Sequence, residues 1–136
     1  MQRLFVDTSA WFAFVNRGDP DHKTVAALLG AFKGRLVTSN FVFDETVTLC
    51  LYRLAHAAAE RVGQTLRDSG QVDLVRVAPE DETAAWRLFR ERRDKQYSFT
   101  DCTSFALMRR LGLKAAAALD DDFAGEGFEQ LPVLAR

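Results

Sequence analysis

Leu4-Phe5-Val6-Asp7-Thr8-Ser9-Ala10-Trp11 decides the fold. Three apolar residues end at an acid, and a hydroxyl pair then leads into Ala10-Trp11-Phe12-Ala13-Phe14-Val15. A short apolar run bounded in this way reads as a buried strand. Thr8 or Ser9 is the expected cap of the helix that follows. The pattern recurs along the chain. Arg17-Gly18-Asp19-Pro20 signals a turn, and a helix is predicted over 20–32, with Gly34 closing the unit. Leu36-Val37-Thr38 is a second strand, and Ser39 or Asn40 caps a long helix over 41–54. A helix over 56–69 stops at Gly70, and residues 72–77 alternate as a third strand. Pro79 opens a helix through Thr83, Trp86 and Phe89, read as its apolar stripe. Thr100 is the expected cap of a helix over 101–111 that Gly112 ends. A small-residue strand over 115–119 follows, and Val133-Leu134 offers a last short one.

Strands alternating with helices predict an α/β fold: a three-layer α/β/α sandwich around a mainly parallel sheet of four to five strands. The 136 residues suit one domain, 1–136. Hydrophobic residues make up 48% and charged residues 27%, which excludes a wholly disordered chain. No apolar run is long enough to span a membrane, and Asp7 interrupts the N-terminus too early for a signal peptide. The expected location is the cytoplasm. Cys50 and Cys102 lack metal-site spacing and are expected to be buried thiols. With only His22 and His56, and no nucleophile motif beside either, a Ser-His-Asp or Cys-His mechanism is excluded.

Ligands of parallel sheets bind outside the carboxyl ends of the strands. Four acids fall there or at helix starts: Asp7, Glu45, Asp101 and Asp120. One carboxylate near a helix N-terminus has a structural explanation in the helix dipole. Four on one edge repel one another and raise one another's pKa unless a cation neutralises them. Mg²⁺ takes such oxygen ligands together with substrate phosphate. The expected chemistry is therefore metal-assisted hydrolysis of a phosphodiester, which needs no histidine.

Four blocks carry a resemblance: Phe5-Val6-Asp7-Thr8-Ser9-Ala10, Thr38-Ser39-Asn40-Phe41-Val42-Phe43-Asp44-Glu45, Ser98-Phe99-Thr100-Asp101-Cys102-Thr103-Ser104-Phe105, and Leu119-Asp120-Asp121-Asp122-Phe123-Ala124-Gly125-Glu126-Gly127-Phe128. In this order they resemble the PIN domain family, most closely its small stand-alone members, the VapC-type toxins of bacterial toxin–antitoxin pairs. The resemblance implies a PIN fold, Mg²⁺- or Mn²⁺-dependent ribonuclease activity, a homodimer and inhibition by a small antitoxin. It implies that Asp7, Glu45, Asp101 and Asp120 are catalytic acids and metal ligands. Asp122 joins them as a ligand whose exchange with Asp120 is left open by the run of three acids. Ser9 and Thr100 match polar positions that orient carboxylates or water. Asp44 is expected to face solvent, since helix neighbours point about 100° apart.

The net charge is -1, but it is segregated: residues 86–114 carry +5 and residues 115–136 carry -4. Arg92, Arg93 and Lys95 precede Asp101 and are candidates for RNA phosphate contacts; Arg109 and Arg110 serve either RNA or their own helix C-terminus. At least one of Trp11, Phe12 and Phe14 is expected in a dimer or antitoxin groove. Three alternatives compete: a catalytically silent RNA-binding or regulatory PIN module, a housekeeping RNA-processing nuclease, and an aspartyl-phosphate phosphatase. The last wants a second Asp where Ser9 stands.

Overall fold

The structure, a computed structural model, describes residues 2–133. In chain order it runs β1 (Arg3–Val6), α1 (Thr8–Val15), α2 (His22–Ala31), β2 (Arg35–Ser39), α3 (Asn40–Arg53), α4 (His56–Asp68), β3 (Val72–Val75), α5 (Pro79–Glu91), α6 (Phe99–Leu111), β4 (Ala115–Ala117), α7 (Asp122–Gly125) and β5 (Glu129–Leu131). The five strands form one all-parallel sheet in the order β3-β2-β1-β4-β5. Helices pack over it, with α3 against α4 and α5 against α6, so the α/β sandwich expected from the alternation is present. No helix among the described residues is long and apolar enough to cross a membrane.

The strand order positions everything that follows. From β1 the chain moves one way to β2 and β3; it returns to the other side of β1 for β4 and β5. The order reverses between β1 and β4, and at such a switch point the carboxyl ends of the strands open into a crevice. Phe5 registers with Val37 on one side and Ala116 on the other. Leu4, Phe5 and Val6 are buried, as a central strand covered on both faces requires. Small alanines in β4 leave room for aromatics: Phe105 packs edge-on against Phe123 at 4.9 Å and against Tyr97 at 5.0 Å. Gly34 admits no side chain, because a Cβ there would collide with the Gln2 carbonyl where the chain enters β2. Gly112 ends α6 in the left-handed conformation at φ 70°, as expected.

Several boundaries differ from the sequence expectation. The cap of α1 is Asp7, not Thr8 or Ser9, because the strand ends at Val6 and the helix begins at Thr8 with one residue between. Helix α2 starts at His22 rather than at Pro20, since the preceding turn continues to Asp21, whose N–H donates to Asp19. Ser98, not Thr100, caps α6, and Thr100 lies inside the helix. The last strand is Glu129–Leu131, the segment that meets β4 in register; Val133 lies beyond it, and Leu134 falls outside the described residues. The buried face of α5 is Asp81, Ala85 and Leu88, at helical spacing, so Trp86 and Phe89 stand outward, 54% and 42% exposed. Both cysteines are free and buried.

Candidate active site

Asp7 leaves β1 in extended conformation and caps α1. Its Oδ2 accepts the Ser9 N–H at 3.2 Å and the Ser9 hydroxyl at 2.8 Å. Ser9 Oγ in turn accepts the Leu119 N–H at 3.1 Å, and the Asp7 N–H donates to the Ala117 carbonyl. The ends of β1 and β4 are thus stitched together through Ser9. Asp7 is 3% exposed and its Oδ1 has no hydrogen-bond partner. A buried acceptor without a partner is costly. Burial pushes the Asp7 carboxyl up to about 7, against the Ser9 hydroxyl bond, and the charges of Asp101 and Asp120 add to the rise.

Asp101 is the third residue of α6 and closes a reciprocal cap: its Oδ2 accepts the Ser98 N–H at 2.9 Å while Ser98 Oγ accepts the Asp101 N–H at 3.0 Å. Burial raises its carboxyl to about 6, helped by Glu45 and Asp120. Glu45 projects from α3, which Ser39 caps, and lines a shallow pocket with Thr100. Asp44, its neighbour, is exposed. Asp120 lies three residues beyond β4 and stays exposed; its Oδ1 accepts the Asp122 N–H. Asp122 opens α7, half-buried, and burial together with Asp120 raises its carboxyl. Asp120 is the acid whose charge raises both Asp7 and Asp101.

The crevice therefore gathers Asp7, Glu45, Asp101 and Asp120 within electrostatic reach, with Asp122 beside Asp120. Among the described residues no three of these side chains stand together as a ready ligand set. The donor set still suits a hard divalent ion: every group is a carboxylate oxygen, and the buried, unpartnered Asp7 Oδ1 points to an interaction that protein atoms do not supply.

The flanking basic residues divide. Arg92, Arg93 and Lys95 line a cleft of about 360 Å³ with Trp86, Phe89 and Tyr97. Arg92 is already engaged, forking onto Glu126 at 2.9 and 3.3 Å, whereas Arg93 and Lys95 are exposed. Arg109 also pairs with Glu126, and Arg110 pairs with Asp81. Phe14 and the buried Trp11 border a groove of about 800 Å³ between α1, α2 and α4. Trp11 belongs to the core, its Nε1–H donating to Thr38.

Sequence reasoning missed Gln130 and Glu126. The Gln130 side chain binds the carbonyls of Ala118 and Asp120 and accepts the Ala124 N–H, shaping the turn that presents Asp120. No local pattern marks either residue, because their partners lie 6 to 34 positions away.

A parallel sheet with this strand order and acids at its switch point defines a class, and comparison with known proteins agrees. The PIN domain family matches residues 4–127, and the chain belongs to that family, among the VapC-type ribonucleases of toxin–antitoxin systems. It is 39% identical over 128 residues to the 23S rRNA-specific endonuclease VapC20 of Mycobacterium tuberculosis, covering 94% of this chain and 97% of that one. It is 31% identical over 114 residues to a VapC ribonuclease of Archaeoglobus fulgidus, covering 80% and 72%. The crystal structure of VapC20, described as a Sarcin-Ricin loop cleaving toxin, superposes with a TM-score of 0.88, covering 92% and 95% of the two chains at 38% identity. FitAcB from Neisseria gonorrhoeae shares the fold at a TM-score of 0.69 and 14% identity, covering 95% and 96%.

Proposed function

We propose that this chain is a Mg²⁺- or Mn²⁺-dependent endoribonuclease that hydrolyses RNA phosphodiester bonds as the toxin of a type II toxin–antitoxin pair. The observation that carries the reading is the buried, half-unpartnered Asp7 at the switch point, whose carboxyl feels the charges of Asp101 and Asp120, while Glu45 acts on Asp101. Asp7, Asp101 and Asp120 would hold the ion, with Glu45 at the facing side and Asp122 as an auxiliary ligand. When bound, a divalent ion supplies a nucleophilic water at neutral pH and stabilises charge on the phosphate. The chain's own part is positional. Ser9 engages one Asp7 oxygen, Oδ2, and leaves Oδ1 without a protein partner. The Ser98 cap fixes Asp101.

RNA would approach over the exposed Arg93 and Lys95, whose charge offsets that of the acids. Exposed Leu51 and Tyr52 on α3 and Trp86 and Phe89 on α5 form apolar surface of the kind a homodimer covers. The groove bordered by Phe14 and His22 suits an apolar antitoxin segment. The 39% identity to VapC20 makes 23S rRNA the first substrate to test.

The test is incubation of purified protein with a hairpin RNA carrying the sarcin–ricin loop and with a mixed structured RNA pool, in Mg²⁺, Mn²⁺ or EDTA, beside Asp101→Asn. Cleavage that needs metal and disappears in the variant is expected. Equal cleavage in EDTA or by Asp101→Asn would refute the reading.

A further inference from the structure

Glu126 contributes nothing to the crevice directly, yet it is the most heavily bonded carboxylate among the described residues. Its side chain is 3% exposed. Oε2 accepts from Arg92 Nε at 2.9 Å and from the Tyr97 hydroxyl at 2.9 Å; Oε1 accepts from Arg109 Nη2 at 3.0 Å and Arg92 Nη2 at 3.3 Å. Arg109 also binds the Glu126 carbonyl at 2.9 Å and lies over the Phe128 ring. Burial opposes the charge, but these three donors hold the Glu126 carboxyl below its ordinary value. A buried anion with this many strong donors sits in one place.

The partners are the elements that carry the site. Arg92 caps the end of α5. Tyr97 precedes Ser98, the residue that caps α6 and clamps Asp101. Arg109 is in the last turn of α6. The Glu126 N–H donates to the carbonyls of Asp122 and Phe123, closing α7 directly after Asp120 and Asp122. Glu126 is thus the shared point of the two segments that deliver Asp101 and Asp120, distant in sequence and required to meet.

Resting on the nuclease reading, we propose that Glu126, with Arg92, Tyr97 and Arg109, is a positioning residue that sets the spacing of Asp101 against Asp120 and so the affinity of the crevice for a divalent cation. Outer partners of metal-holding side chains act in this way: they orient the ligands without touching the ion.

Asp81 provides an internal control. It is also buried, its side chain 2% exposed, and it also forks with an α6 arginine, Arg110, at 2.7 and 2.8 Å. It joins the start of α5 to the last turn of α6, and none of its bonds, to Ala78 and Arg110, reaches the turn that presents Asp120 and Asp122. Both variants lose a buried pair, but only one is predicted to disturb the site.

The experiment compares Glu126→Gln, Glu126→Asp and Asp81→Asn in the full chain, all below the melting temperature of the least stable. Mn²⁺ binding is read by titration calorimetry, and cleavage by kcat and KM on the sarcin–ricin hairpin. Both Glu126 variants are expected to bind Mn²⁺ about tenfold more weakly and to lower kcat about tenfold with KM little changed, the effect typical of a lost outer partner. Asp81→Asn should match wild type in both. Folded Glu126 variants that bind Mn²⁺ normally would overturn the proposal, as would an Asp81→Asn loss of equal size. A normal Glu126→Asp beside an impaired Glu126→Gln would also overturn it, because the charge and not the reach would then matter. Wild-type protein that neither binds Mn²⁺ nor cleaves would instead overturn the nuclease reading on which the proposal rests.

Discussion

Asp7 and Glu126 are two carboxylates whose side chains are withdrawn from water, in opposite condition. Asp7 is 3% exposed, holds only Ser9, and its carboxyl is pushed up to about 7 by burial. The Glu126 side chain is 3% exposed, accepts from two arginines and a tyrosine, and its carboxyl is held low. Burial alone does not decide what a carboxylate does; its partners do. A fully paired buried charge ties elements together. An under-paired one stores electrostatic free energy that an incoming cation can release, and such groups cluster at functional sites. The two lie at opposite ends of one device, since Glu126 grips the turn whose Asp120 faces Asp7.

The largest effect should come from the under-paired side. Asp7→Asn or Asp101→Asn is expected to lower cleavage about a thousandfold or more, on the order of 4 kcal/mol of transition-state stabilisation. The same variants should melt no lower than wild type without metal, because each removes a charge the fold holds unfavourably. Cleavage kinetics together with thermal melts check both halves. A variant that loses activity only by unfolding would erase the contrast between the two carboxylates.

Glu126→Ala should behave in the reverse sense, with stability the main loss. Breaking a buried ion pair by removing one partner costs about 3–5 kcal/mol. Arg92 and Arg109 keep 38% and 45% side-chain exposure and can regain water, so the expected cost is near the lower end, about 3 kcal/mol. Urea unfolding measures it. A cost below about 1 kcal/mol would place Glu126 with ordinary surface pairs.

The pH dependence of metal-free stability separates the two groups again. Asp7 and Asp101 have folded-state values of about 7 and about 6, above the ordinary aspartate value of 3.8. Between the unfolded and folded values the native state keeps protons that the unfolded chain has released. Stability therefore falls as pH rises from about 4 to about 7 and levels off above, by on the order of a few kcal/mol. Glu126 acts oppositely: its contribution is present above the ordinary glutamate value and is lost as pH falls through its lowered one. Mn²⁺ binds the ionised acids, so its stabilising effect should be larger near neutral pH than near pH 5. Melting curves with and without Mn²⁺ across that range test the sign. A Mn²⁺ effect that shrinks as pH rises would contradict it.

The two groups also differ in how far they were legible beforehand. Asp7, Asp101 and Asp120 could be read because each sits at or beside an element end, and Glu45 because it lies in the second turn of α3; in a parallel sheet those ends share one edge. Residue spacing could not tell that Asp7 itself caps α1 or that Ser98 caps α6, because adjacent Ser, Thr and Asp residues all qualify as caps. The outward placement of Trp86 and Phe89 was hidden for a related reason. Two aromatics three apart suggest a core stripe, but Ala85 and Leu88 form the buried face together with Asp81, which Arg110 neutralises. Glu126 had no signal at all: its arginine and tyrosine partners lie 17 to 34 positions away.

The smallest effect tests how sharply the crevice is bounded. Asp44 and Glu45 are adjacent acids on α3, turned about 100° apart by the helix. Asp44 is exposed, whereas Glu45 is half-buried and its charge reaches Asp101. Asp44→Asn should therefore change stability by no more than about 0.5 kcal/mol, as surface substitutions usually do, and leave Mn²⁺ affinity near that of wild type. Glu45→Gln should weaken Mn²⁺ binding and relieve part of the rise at Asp101. Parallel Mn²⁺ titrations of the two variants decide between them. If Asp44→Asn proved the more damaging, the facing acid of the crevice would be Asp44, and α3 would have to present a different side to α6.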